Sequence, residues 1–142
     1  MNHPRSMFQN FVAFLSEFHQ ATHQFTKDVR PEGTTAAQYD ILEYLMVSQP
    51  ATLSEVSECV HMSMPNTSRE IRKLEEKGLC EKTSDPLDKR KQLIQLTTSG
   101  QAIMGQAFNE IEARFMARIQ DASPEDIREL EHALQVIRKQ VF

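Results

Sequence analysis

The apolar residues change their period at Gly78. In "SMPNTSREIRKLEEKG", Met64, Thr67, Ile71 and Leu74 recur at the spacing of one helix face, and a glycine directly after such a run is a common helix stop. Beyond it, "LCEKT" and "KQLIQL" are short strand-like runs joined by "SDPLDKR", whose Asp-Pro pair favours a turn. A helix that gives way at once to a two-stranded hairpin fixes the centre of the fold.

Helices occupy the remainder. "TAAQ" at Thr35 to Gln38 reads as a capping box opening a helix through Ile41, Leu42, Leu45 and Met46. "TLSE" at Thr52 to Glu55 opens a shorter one that buries Leu53, Val56 and Val60. Ser63 is placed to cap the helix before Gly78, with Pro65 in its first turn, where a missing N–H costs nothing. At the start of the chain, Phe8, Phe11, Leu15, Phe18, Thr22, Phe25 and Val29 form the seam of a long helix ended by "RPEG". After the hairpin, "LTTSG" caps a helix whose apolar positions are Ile103, Ala107, Phe108, Ile111, Phe115 and Ile119. "SPED" opens the last, with Ser123 as cap and a seam of Ile127, Leu130, Leu134, Ile137 and Val141. The central helices and hairpin can close their own core. The flanking seams cannot, and their economical partners are the same helices of a second copy, so a homodimer is expected.

Composition narrows the function. At 142 residues the chain fits one domain better than a two-domain enzyme. It has no run of eighteen apolar residues, and "MNHPRSMFQNF" lacks the charge and apolar pattern of a leader, so a cytoplasmic protein without a membrane partner is expected. Cys59 and Cys80, with no CxxC or Cys/His cluster, suggest neither a disulfide framework nor a metal site and read as packing residues. His19 and His23 have metal-ligand spacing but no carboxylates beside them. No GxSxG, phosphate-binding glycine loop or HExxH is present, so neither an enzyme nor a cofactor is expected.

Charge is distributed unevenly. Residues 61–91 hold eight Lys and Arg against six Asp and Glu, a local positive excess in a chain of formal net charge −4. Acid elsewhere weakens indiscriminate attraction to polyanions and leaves one basic surface for selective binding. On a helical wheel Met64, Thr67, Ile71 and Leu74 lie on one side, with Pro65, Asn66, Arg69, Arg72 and Lys73 opposite. Asn pairs with adenine and Arg with guanine in a major groove, while Ser63 and Ser68 at the flanks suit phosphates. A short helix, a tight turn and a second helix bearing this face make a helix-turn-helix order, and double-stranded DNA is the expected partner. The hairpin carries Lys89, Arg90 and Lys91 to the adjacent backbone and minor groove, and Asp88 is placed to orient the Arg90 guanidinium.

The stretch Leu53 to Gly100 resembles the winged helix of MarR-type transcriptional regulators, most specifically in "REIRKLEEKGL", in the "DPLDKR" wing and in "LTTSG". The resemblance implies a mainly α fold with a small β-hairpin wing, a winged helix-turn-helix flanked by N- and C-terminal dimerisation helices. Residues 1–34 would form the N-terminal dimerisation helix, 35–100 the DNA-binding region and 101–142 the C-terminal dimerisation helices, one intertwined domain per subunit. It further implies a ligand-responsive repressor that binds a pseudo-palindromic operator as a homodimer. His61 stands where such turns often have Gly, a tolerable change because His is enriched at positive φ. Members of the family commonly respond to small aromatic or lipophilic molecules. The residues expected around such an effector are Phe14, Phe18, Tyr39, Tyr44, Phe108 and Phe115, with His19 and His23 as polar handles. Two other readings stay open: a helical protein-interaction module using the basic hairpin, and a redox-sensing regulator using Cys59 or Cys80.

Overall fold

The computed structural model describes residues 4–142. Its elements are α1 (Pro4–Thr26), α2 (Ala36–Ser48), α3 (Leu53–Val60), α4 (Met64–Glu76), β1 (Cys80–Ser84), β2 (Gln92–Leu96), α5 (Thr98–Arg118) and α6 (Pro124–Gln140). The fold is mainly α with one antiparallel hairpin, in the order expected. The chain resolves into two compact units, one running to Ile111 and the other Glu112–Phe142. None of the helices among the described residues is long and apolar enough to cross a membrane.

In the first unit the element boundaries follow from local chemistry. Thr35 accepts the Gln38 N–H at 3.1 Å while Gln38 accepts the Thr35 N–H at 3.3 Å, and Thr52 and Glu55 repeat the exchange at 3.2 and 3.3 Å. Each box satisfies two amides that a helix N-terminus leaves without partners. His61 ends α3 in the left-handed region at φ 55°, and the Ser63 hydroxyl then accepts the Asn66 N–H at 3.2 Å to start α4. Gly78, at φ 74°, turns the chain into the hairpin, whose register pairs Cys80 with Leu96 and Lys82 with Ile94.

The core gathers Ile41, Leu42 and Leu45 of α2, Val56 of α3, Ile71 and Leu74 of α4, Ile94 and Leu96 of β2, and Met104 and Ala107 of α5. Burying a large aliphatic side chain contributes about 1.5–3 kcal/mol, so this cluster is what holds α4 and the hairpin as one body. Two contacts lock the hairpin further. Ala51 exchanges backbone hydrogen bonds with Ile94 at 3.0 and 2.7 Å, and the Gln49 side chain accepts the Leu96 N–H at 2.8 Å. At the start of α5, the Thr97 hydroxyl accepts the Gly100 N–H at 3.0 Å and donates to the Gly78 carbonyl at 2.6 Å. Gly100 permits this approach, since a Cβ there would stand 2.1 Å from the Leu79 carbonyl oxygen.

Two details depart from the sequence reading. Met64 shares the angular position of the core face yet is 47% exposed. It is the first residue of α4, and helical side chains lean toward the N-terminus, so it overhangs the helix end instead of covering the core. The first helix stops at Thr26, before Val29. Asp28 takes φ 60°, and Val29 joins the core instead of extending the seam.

Much apolar surface stays uncovered in the single chain. On α1, Met7, Phe8, Val12, Phe14, Leu15 and Phe18 are exposed, and Phe11, Phe14 and Phe18 stack in sequence with centroids 6.3 and 5.9 Å apart. In the second unit Ser123 caps α6 through a box with Asp126, but α6 buries none of its residues, leaving Leu130 and Leu134 exposed.

Candidate nucleic-acid interface

Helix α4 divides cleanly. Thr67, Ile71 and Leu74 are fully buried, with the Thr67 hydroxyl donating to the Ser63 carbonyl at 2.8 Å. Pro65, Asn66, Arg69, Arg72 and Lys73 are exposed, together with the capping Ser63. Ser68 is the exception among the residues singled out on this helix. It is half-buried and lines a cavity of about 120 Å³ with Leu53, Ile71, Lys82, Gln92 and Ile94, behind the outward face.

The wing tip is shaped by two aspartates. Asp85 accepts the Leu87 N–H through its carboxylate at 2.8 Å, and its own N–H donates to the Lys91 carbonyl at 3.0 Å. Asp88 Oδ1 accepts the Arg90 N–H at 3.0 Å and stands 3.6 Å from Arg90 Nε. The Asp88 carboxylate therefore fixes the backbone at Arg90 and lies within ion-pair range of its guanidinium, which is 95% exposed, and Lys89 and Lys91 are exposed beside it.

Behind α4 lies a polar junction that the sequence reading did not single out. Gln38, 2% exposed, donates through Nε2 to Glu70 Oε2 at 3.0 Å and accepts from Lys77 Nζ at 2.7 Å. Lys77 also donates to the Gly33 carbonyl, and Glu70 accepts from Lys73 at 3.2 Å. The hydrogen bond from Gln38, and after it that from Lys73, holds the Glu70 carboxyl below the usual carboxylate range. Gln38 already had a role as a capping residue, so nothing in the sequence pointed to a second one.

Of the eight residues expected around an effector, two share a groove described here. His23 and Tyr39 line a shared open groove with Thr26, Lys27, Asp28, Arg30, Glu32, Ala36 and Asp40. Tyr44 lines another, with Asp40, Glu43, Val47, Ser48, Cys59, Val60 and His61. Phe14 and Phe18 stack on the exposed face of α1, His19 is exposed on the same helix, Phe108 packs against the core of the first unit, and Phe115 belongs to the second. Tyr39 is 9% exposed, and its buried hydroxyl lies beside the Glu43 side chain. Burial first, then Glu43, pushes that phenol far above its ordinary pKa.

The two cysteines also part company. Cys80 is buried as expected, and desolvation pushes its thiol up to about 12. Cys59 is exposed on α3, contrary to its reading as a packing residue, because it borders the Tyr44 groove instead of the core. Among the described residues no group of three or more His, Cys, Asp or Glu is placed to hold a metal ion.

Comparison with known proteins converges on the same region. Residues 32–91 match the model of the MarR family. A helix-turn-helix-type transcriptional regulator of Bacillus cereus is 29% identical over 99 residues, a match spanning 70% of this chain and 63% of that relative. A MarR family protein from Bacillus stearothermophilus shares the fold over 99% of this chain and 98% of its own, with a TM-score of 0.79 at 16% identity. MepR of Staphylococcus aureus, solved bound to ethidium bromide, does so over 94% and 95%, with a TM-score of 0.62 at 22% identity. The segment matched to the MarR family runs from the entry to α2 through the wing, so the similarity falls on the winged helix-turn-helix described above.

Proposed function

We propose that this protein is a sequence-specific, ligand-responsive repressor that binds a pseudo-palindromic operator as a homodimer. The observation that carries the reading is the division of α4. Its buried Thr67, Ile71 and Leu74 anchor a helix whose outward side presents Asn66, Arg69 and Arg72, beside a wing that exposes Lys89, Arg90 and Lys91 in an otherwise acidic chain. In this reading α4 enters the major groove, Asn66 and Arg69 read base edges, Ser63, Pro65, Arg72 and Lys73 serve backbone and register, Ser68 stays behind the contact face, and Arg90, beside Asp88, reaches the minor groove. The exposed apolar faces of α1 and of α6 supply the surface that a second subunit would cover. Two such helices related by a two-fold axis read a two-fold site.

Ligand response is supported by the open groove that His23 and Tyr39 line together. A structural neighbour, MepR, was solved bound to ethidium bromide. A small aromatic or lipophilic effector in this groove would release DNA only by binding the released geometry better, with coupling of about 1–3 kcal/mol.

The test is selection of a duplex from a random pool by the purified protein, followed by Arg69→Ala. The variant should lose about 1–3 kcal/mol on the selected duplex and less on random sequence. Equal losses on both would demote Arg69 to a phosphate contact and remove the base-reading role of this face.

A further inference from the structure

We propose that Gln38 is a positioning residue for DNA recognition, a single buried amide that sets both the roll and the axial position of α4 through Glu70 and Lys77. The inference rests on the reading of α4 as the base-reading helix. Glu70 and Lys77 are seven residues apart, two turns along one side of the helix, and both are tied to the same side chain in the first turn of α2. The Gln38 oxygen also accepts the Thr35 N–H at 3.3 Å, so the amide is itself held by the capping box. Lys77 continues to the Gly33 carbonyl, which fastens the C-terminal end of α4 to the loop before α2.

Both bonds from Gln38 to α4 involve a charged partner, the stronger kind of hydrogen bond, and the amide is almost wholly out of water. Rolling α4 by about 20° would carry a side-chain tip about 5–6 Å from the helix axis through about 2 Å, enough to break a bidentate contact with a base. Such a roll also separates Glu70 from Gln38. Glu70 accepts Lys73 with its other oxygen, so the same junction steadies a cation on the basic side.

Simple electrostatics makes the opposite forecast. Glu70 is an acid on the helix that faces a polyanion, so deleting its charge should tighten binding to every duplex. Positioning instead forecasts a loss confined to the sequence that must be read. The experiment compares the full-length wild type with Glu70→Ala, Glu70→Gln, Gln38→Met and Lys77→Met on the duplex selected from a random pool and on a scrambled duplex, with salt dependence and thermal unfolding recorded for each.

Glu70→Ala, Gln38→Met and Lys77→Met should each bind the selected duplex about tenfold more weakly while changing the scrambled duplex and the salt slope little. Glu70→Gln, which keeps an oxygen for the Gln38 donor, should restore most of the loss. Unchanged or tighter binding of the selected duplex by Glu70→Ala overturns the proposal, as does an equal loss on both duplexes. If Gln38→Met unfolds because its capping box is lost, the Glu70 pair decides the matter alone. A wild type that selects no sequence removes the base-reading role of α4 and the positioning role with it, an outcome separate from a wild type that selects while its variants do not differ.

Discussion

Replacing Gly100 with alanine should loosen the joint between the wing and α5. The new Cβ would meet the Leu79 carbonyl oxygen at 2.1 Å and its carbonyl carbon at 3.1 Å, both backbone atoms that cannot rotate aside. Ordinary contact begins near 3.4 Å, so one side must retreat by about 1.3 Å. Leu79 is poorly able to do so. Its N–H donates to the Leu74 carbonyl at 2.9 Å, its carbonyl accepts the Thr97 N–H at 3.1 Å, and its side chain lies in the core. The start of α5 must lift instead, straining the Thr97 bonds to Leu79 and to Gly78. Overpacking costs about 1–3 kcal/mol and each weakened hydrogen bond about 1, offset by about 1 for replacing a helical glycine, which leaves a net loss of about 2–4 kcal/mol. In a chain of this size that lowers the unfolding midpoint by about 5–15 °C. Thermal unfolding followed by circular dichroism at fixed protein concentration measures it, with Gly105→Ala as the control, because a Cβ at Gly105 meets nothing within 4 Å. A Gly100→Ala midpoint equal to or above that of the wild type would refute the close-approach argument.

Three further outcomes are expected. Asp88→Ala should weaken binding to the selected duplex although it removes a negative charge, and Asp88→Asn should keep most of the affinity because its amide oxygen can still accept the Arg90 N–H; tighter binding by Asp88→Ala would contradict the orienting role. In the folded protein near neutral pH, a thiol reagent should label Cys59 quickly and Cys80 only on unfolding, since burial holds the Cys80 thiol protonated; rapid labelling of both would show the core to be open. Deleting residues from Ser123 onward should abolish dimerisation in sedimentation and specific binding with it, and a truncated protein that stays dimeric would remove α6 from the interface.

What could be read from the sequence was local. Thr35, Thr52, Ser63 and Ser123 announce their helices because a cap and its partner sit three residues apart, and Gly78 and His61 mark turns through their own backbone preferences. The exposed face of α4 followed from periodicity for the same reason. Contacts between distant residues were not legible. Nothing in "QPAT" signals that Ala51 pairs with Ile94, since a single bridge has no repeating pattern. The glycine of "LTTSG" could be quoted as part of a resemblance, but its physical reason, the approach of α5 to Leu79, exists only in three dimensions. Gln38 was hidden by its own capping role.

The salt dependence of binding to the selected duplex tests DNA recognition by α4 and the wing most directly. A dimer that sets two basic wings and two reading helices against phosphates should lose affinity linearly in log–log form, by about 10³-fold or more between 50 and 200 mM salt. A shallow slope on that duplex would mean that phosphate neutralisation is not the driving term. The basic hairpin would then belong to contact with another protein, and α4 and its wing would not be a DNA-binding surface.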